Sequence, residues 1–356
     1  MCRNPWRNYK MKKKIAILLL IFMLAGLSSC GFFERPRSET LKDYFGKNVT
    51  VTDYSGLGRR DFIDLLGEAK DELSYYDRLL DADREYEGLT NLATLNANAG
   101  GGALKVDEEL IDFLAFAKEM YYLTGGAVNI AAGSVLSVYD DFRQMADSPS
   151  TSDVARLPSE AALAEARAHT DIEKLIIDQE GETVELLDEK MRLDARWIAK
   201  GYALQEAAEE LLDEGYNGLT LETEGTLKII GEKPDGEAFR LGIRSPDMNA
   251  SKPYAHFIDL KNTSCAMASV YADSYQVDGV EYHGLIDMET LAPAKNFSSV
   301  TVVTPDSALA DALADALFIM NFDEGRELLE TLDDVRAVWI YTDGKVVDSA
   351  DFDNQG

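Results

Sequence analysis

Residues 299–320 read SVTVVTPDSALADALADALFIM. The β-branched run Ser299–Thr304 predicts a strand, and Ser307–Met320 predicts the helix it feeds. Leu309, Leu313, Ala316, Leu317 and Met320 recur at helical spacing as one apolar stripe. Asp311 and Asp315 stand one turn apart on the other side, among alanines, in a helix with no Lys or Arg. Like charges at that spacing cost a helix a few tenths of a kcal/mol, roughly 0.2–0.5, unless a cation sits between them. Two readings fit equally well: a solvated acidic face, or a pair of hard oxygen ligands for a Mg²⁺-like cation.

Working outward, the same alternation of periods continues. Phe62, Leu65, Leu66, Ala69, Leu73 and Tyr76 predict a helix, as do Leu110, Phe113, Leu114, Ala117 and Met120, closed by Thr124-Gly125-Gly126. Pro158-Ser159-Glu160 opens another, and Trp197, Gly201, Leu204, Ala208 and Leu211 mark one ending at Gly215. Lys174–Asp178, Thr183–Leu187 and Val335–Tyr341 predict strands. Asp235-Gly236, Asp278-Gly279 and Asp343-Gly344 each lie between β-prone runs, a hairpin pattern. Hairpin-linked strands interrupted by helices predict an α+β fold rather than a doubly wound parallel sheet.

The chain has 356 residues, 35 basic and 64 acidic, for a net charge of −29. Arg3, Arg7, Lys10, Lys12, Lys13 and Lys14 all precede Cys30, where no acid lies, so the remainder is more acidic still. Such a body repels phosphate backbones, which excludes nucleic acid as a partner class. Lys12–Lys14, an apolar run Ile15–Leu27 and Ser28-Ser29-Cys30 predict a secretory signal over 1–29. The apolar run spans about 20 Å as a helix, short of a bilayer core of roughly 30 Å. Leu27-Ser28-Ser29-Cys30 resembles a bacterial lipobox, which implies cleavage before Cys30, lipid on its sulfur and an extracytoplasmic protein anchored to the bacterial cell membrane. Residues 30–48 read as a polar tether, 49–350 as the folded domain and 351–356 as a tail. Cys265 is then the only thiol of the body, a small core residue, and no disulfide framework is possible.

Three further segments can carry chemistry. Asp194-Ala-Arg-Trp-Ile-Ala-Lys200-Gly201 joins a strand end to a helix start, where Asp194 reads as an N-cap and Lys200 adds charge to a potential phosphate site. Gly100-Gly101-Gly102 lacks the Lys-Ser/Thr of a P-loop and reads as a loop. His283, near Asp287, is either a general base with its orienting carboxylate or a polar strand end. His169 and His256 read as surface or hydrogen-bonded histidines.

Taken in order, Leu95-Asn96, Thr124-Gly-Gly-Ala-Val-Asn129, Asp194 with Ile198-Ala-Lys-Gly-Tyr-Ala203, Val277-Asp-Gly-Val-Glu-Tyr-His283, Leu285-Ile-Asp287 and Ala310-Asp-Ala-Leu313 resemble the FAD:protein FMN transferase (ApbE) family over about residues 41–350. The resemblance implies largely antiparallel sheets with packed helices and a flavin cleft between two lobes. It also implies Mg²⁺-dependent transfer of FMN from FAD to a Thr or Ser hydroxyl of an extracytoplasmic partner flavoprotein, with release of AMP. By position, the metal would bind Asp311, Asp315 and the backbone carbonyl of Trp197. Flavin contacts would fall at Ala127, Val128, Asn129, Asp194, Lys200 and Ile286. Several positions depart from the family pattern: Arg196-Trp197 replaces a Gly-Gly or Gly-Ala, Met267-Ala-Ser-Val-Tyr271 a Thr-Ser-Gly-Asp-Tyr, and Glu224-Gly225 a Gly-Gly. Asp315 stands where the family has a Thr, Met288 where it has a Pro, and Gly284 where it has the His implied as base for the acceptor hydroxyl. His283 is the remaining candidate for that base. The alternatives to a transferase are a FAD hydrolase, or a catalytically silent lipid-anchored protein that binds flavin or a partner.

Overall fold

The computed structural model describes residues 36–147, 156–244, 253–271, 274–277 and 280–349, and the chain from Arg37 onward clusters as one compact unit. The signal, Cys30 with its lipidation, the Asp278-Gly279 pair and the 351–356 tail lie outside the described residues. Two strands, β1 (Arg37–Tyr44) and β2 (Lys47–Asp53), open the fold, followed by α1 (Arg59–Leu79), α2 (Leu92–Ala97), β3 (Leu104–Lys105) and α3 (Glu108–Leu123). Next come α4 (Gly133–Asp147), α5 (Glu160–Arg167), β4 (Leu175–Asp178), β5 (Thr183–Leu186) and α6 (Ala199–Asp213). Seven strands follow: β6 (Leu219–Thr223), β7 (Thr226–Ile230), β8 (Phe239–Arg244), β9 (Tyr254–Leu260), β10 (Ser264–Ser269), β11 (Tyr275–Val277) and β12 (Val280–Tyr282). The chain closes with β13 (Ile286–Asp287), β14 (Ala292–Pro293), β15 (Phe297–Thr304), α7 (Ser307–Ile319), α8 (Phe322–Leu329), β16 (Arg336–Tyr341) and β17 (Val346–Asp348).

An antiparallel sheet in the order β1-β2-β6-β7-β10-β15-β16-β17 forms the spine, so the expected α+β class is what the chain adopts. An interior strand, β15, is buried at every position because both faces are covered. Val300 and Val302 face the main core with Ala337 and Trp339, while Val303 faces a second core with Val338, Ile340 and Cys265. That division follows the two-residue side-chain period of a strand. Helices α6 and α7 lie in the main core, and the β8–β9 pair contributes Phe239, Ile243, Ile258 and Leu260 to the second.

Two expectations are corrected. Residues 37–48 are not tether: they form β1 and the start of β2, so the folded body begins at Arg37. β1 is a polar edge strand whose side-chain ladder is Ser38 on Thr52 (2.8 Å) and Thr40 on Thr50 (3.2 Å), and such a strand carries no apolar alternation to announce itself. Asp235-Gly236 does form a turn, with Gly236 at φ +72°, but it joins unpaired strands, since β8 pairs with β9 and β7 with β6 and β10. The Asp343-Gly344 hairpin between β16 and β17 is as expected.

Candidate active site

The helix α7 is not amphipathic in the way its stripe suggested. It is buried on nearly every side, Asp311 included, at 7% exposure. The solvated-face reading of Asp311 therefore fails. A buried carboxylate needs partners, and Asp311 has two neutral ones: the Gly201 amide donates to Oδ2 (2.9 Å) and the Thr226 hydroxyl to Oδ1 (2.9 Å). Among the described residues no Lys or Arg pairs with it. A carboxylate offers about four lone-pair positions, so acceptor capacity remains.

Gly201 explains how α6 comes so close. A Cβ at this position would collide with the Ser307 carbonyl and the Asp311 side chain, so only glycine lets the two helices meet backbone to side chain. The contact also caps the start of α6. Gly201 is the third residue of α6, where an amide has no acceptor within the helix, and Asp311 supplies one; the Trp197 carbonyl precedes the N-cap Ile198 and lies outside the helix ladder. Asp315 follows one turn later on α7, half-buried.

Two carboxylates and a backbone carbonyl outside the helix ladder make an all-oxygen donor set, which suits a hard cation. Among the described residues no three His, Cys, Asp or Glu side chains converge as a metal site. The set fits Mg²⁺ nonetheless, because that ion keeps several waters and takes one or two carboxylates plus substrate phosphate.

The segments implied for the flavin lie against each other. The Asp194 amide donates to the Ile130 carbonyl (2.8 Å), and Ala132 bridges Arg192. Thr124 shapes the first segment, its hydroxyl donating to the Met120 carbonyl (2.7 Å) and accepting from the Val128 amide (3.1 Å). Ala127 is half-buried, and Val128 is buried. The Asn129 side chain is engaged in the fold, donating to the Thr170 carbonyl (2.9 Å) and accepting from the Ala131 amide (2.9 Å). Ile286 is fully buried on β13. Lys200 is half-buried in the first turn of α6, its Nζ 3.4 Å from the Glu224 carbonyl.

Asp194 is not an N-cap, since the cap position of α6 is Ile198. Asp194 instead binds the Arg196 amide (3.0 Å) and the Arg196 guanidinium through both oxygens (3.0 and 2.6 Å). The same guanidinium holds both oxygens of Asp140 on α4 (3.0 and 2.5 Å). Burial pushes the Asp194 carboxyl up, but the Arg196 charge and hydrogen bonds outweigh it and hold the carboxyl below its ordinary range. The Cys265 thiol, buried in the second core, is pushed up to about 12 and is inert, as a core residue should be. A cavity of about 1010 Å³ lies elsewhere, along β4 and α3 beside Lys118, Tyr122 and Ile176, and includes none of these groups.

The sequence profile of the ApbE family matches residues 45–339. The chain belongs to the ApbE family. A FAD:protein FMN transferase of Treponema pallidum is 29% identical over 348 residues, covering 93% of this chain and 92% of the relative. One of Vibrio cholerae is 27% identical over 267 residues, covering 75% and 74%. In fold, the chain is similar to the ApbE protein of Thermotoga maritima, with a TM-score of 0.76 at 23% identity, covering 89% of this chain and 98% of that one. It is likewise similar to the flavin transferase ApbE of Vibrio cholerae, with a TM-score of 0.74 at 23% identity, covering 90% and 99%.

Against the ApbE pattern, His283 is the clearest correction. It is buried, its Nε2 donates to the Ala294 carbonyl (2.9 Å), and its Nδ1 accepts from the Leu285 amide (3.3 Å). Both ring nitrogens are consumed in holding the chain that leads into β13, and the ring packs edge-on against Phe318 (5.5 Å). In this arrangement it has no lone pair to spare for an acceptor proton, which argues against the general-base reading. Asp287 does not orient it either, because it accepts from the Glu289 amide (2.8 Å) and the Thr290 hydroxyl (2.8 Å) in the β13–β14 turn. Gly284 next to it is half-buried, and a Cβ there would have no atom within 4 Å. Sequence reasoning missed Thr226 and the Asp140–Arg196 pairing. Thr226 follows the Glu224-Gly225 turn, but a Thr in a strand is too common to stand out.

Proposed function

We propose that this ApbE-family chain is a Mg²⁺-dependent FAD:protein FMN transferase, acting at the outer face of the bacterial membrane on a Thr or Ser hydroxyl of a partner flavoprotein. The observation that carries the reading is Asp311: a buried carboxylate whose partners among the described residues are a neutral amide and a neutral hydroxyl, one turn before a second carboxylate, Asp315, on α7. That arrangement suits a hard cation. Asp311, Asp315 and the Trp197 carbonyl would hold Mg²⁺. When bound, Mg²⁺ would supply the charge that neutralises the FAD diphosphate and steadies the departing AMP. The Ala127–Asn129 and Asp194 segments orient the flavin half, largely through backbone, and Lys200 lends charge at the start of α6. The acceptor hydroxyl oxygen forms a bond to the FMN phosphorus, the diphosphate P–O bond breaks toward AMP, and the hydroxyl proton passes to solvent. The leader and Cys30 support a lipid anchor and an extracytoplasmic site of action.

One observation favours a second reading. With Gly284 lacking a side chain and His283 fully engaged, no imidazole stands ready for the acceptor hydroxyl, which suits FAD hydrolysis or flavin binding without turnover. Incubating the purified protein with FAD, Mg²⁺ and a flavinylation-acceptor domain separates these outcomes. Covalent FMN on the acceptor supports transfer, AMP release without it supports hydrolysis, and bound FAD with no AMP supports a silent binder.

A further inference from the structure

Lys228 has no part in the chemistry above, yet it is buried at 7% exposure in a strongly acidic protein. It lies on β7 two residues from Thr226 and therefore on the same face. Its Nζ donates to Gln205 Oε1 (2.9 Å) and to the Pro305 carbonyl (2.8 Å). Gln205 stands one turn after Gly201 on α6, and its Oε1 also accepts the Ser307 amide (3.0 Å) at the start of α7. The Ser307 hydroxyl reaches back to the Gly201 carbonyl (2.9 Å), and the Ser264 hydroxyl of β10 also donates to the Pro305 carbonyl (2.9 Å).

The elements joined at Lys228 are β7, α6 and the loop into α7. β7, α6 and α7 itself converge on Asp311 through Thr226, Gly201 and the carboxylate. The two junctions are thus the two ends of one seam. Burial pushes the Lys228 ammonium down, with the charges of Asp306 and Glu209 opposing that shift. A buried ammonium is costly unless its geometry is used, and an apolar side chain of similar length would fill the space.

We propose that Lys228 is a positioning residue for the Asp311 site. It ties α6 and α7 to β7 at the spacing where the Gly201 amide and the Thr226 hydroxyl reach Asp311, and so it sets that site's affinity for a hard divalent cation. The affinity part rests on the metal reading above; the positioning part does not.

The test compares Lys228→Met and Lys228→Arg with the parent protein in three measurements: Mn²⁺ binding by titration, hydrogen exchange at the Gly201 amide, and thermal unfolding. Lys228→Met should unfold cooperatively, bind Mn²⁺ at least about tenfold more weakly and exchange the Gly201 amide at least about tenfold faster. Lys228→Arg, which keeps a cation, should restore both to within about threefold. Asp311→Asn serves as the control that assigns the Mn²⁺ signal. If Lys228→Met keeps parental Gly201 exchange, the proposal is overturned. A parent protein that binds no Mn²⁺ removes the metal reading, and the amide exchange alone then decides the role of Lys228. Should Lys228→Met fail to fold, Gln205→Leu cuts the same tie from α6 and is held to the same outcomes.

Discussion

Asp311 and His283 are equally buried, each 7% exposed, and each lies in a segment whose sequence suggested chemistry. Their surroundings separate them. Asp311 receives one amide and one hydroxyl and keeps acceptor capacity, whereas His283 has two nitrogens and two partners. Burial alone therefore says little about function; capacity left over after the fold has taken its share says more. By that measure Asp311 supports the proposed cation site, and His283 does not support the proposed base.

The largest test of this contrast is Asp311→Asn. It should lower FAD-dependent AMP release by about 100-fold or more, since a metal contribution of several kcal/mol is lost. Circular dichroism should stay unchanged, because the amide oxygen can still accept from Gly201 or Thr226. Retained activity would return Asp311 to a structural role. Gly284→His comes next. Open space at its Cβ permits the imidazole, and covalent FMN on the acceptor should rise on the order of 100-fold, the typical worth of a general base. No gain would mean that position 284 does not face the acceptor.

His283→Ala should act on stability instead. It strands the Ala294 carbonyl and the Leu285 amide and opens a hollow beside Phe318, costing about 2–4 kcal/mol in denaturant unfolding. The pH profile of AMP release should not move; a lost limb would show that His283 titrates in the reaction after all.

The smallest effect concerns a region where partner counting gives the opposite sign. Glu72 on α1 and Glu206 on α6 line a hollow of about 510 Å³ with Glu109, Glu209, Glu210 and Asp213, and no cation lines it. Burial pushes the Glu72 carboxyl up, and the charges of Glu210 and Glu109 push it further; burial also raises Glu206, against the pull of the Tyr76 hydroxyl at 3.1 Å. A carboxyl raised on folding holds its proton better in the native state. The stability it contributes is full below the unfolded pKa and is lost as pH rises through the folded one. Glu72→Gln should therefore stabilise the protein by about 0.5 kcal/mol at pH 8, with the gain vanishing as pH falls to 4. An equal gain at both values would exclude titration as its source.

How much of this was legible in the sequence depended on whether the cause was local. Helix periods located α1, α3 and α7 because the apolar stripe is a property of neighbouring residues. Asp311 could be nominated from its spacing, but its choice between water and a cation depended on Gly201 and Thr226, distant in the chain. The engagement of His283 depended on the Ala294 carbonyl across the β13–β14 hairpin. The clamp of Arg196 on Asp140 joins residues 56 apart, with no pattern linking them beforehand. Edge strand β1 was invisible for a different reason, since backbone pairing leaves no mark on side-chain polarity.

That edge strand bears on where the enzyme can work. With lipid on Cys30, as proposed, only residues 31–36 separate the anchor from β1, a contour of about 25 Å at full extension. A tether running to residue 48 would have allowed roughly 60 Å. If the proposed lipid is present, the shorter leash would keep the folded body close to the bilayer, and geometry alone would then favour membrane-bound acceptors on short stalks over freely diffusing ones.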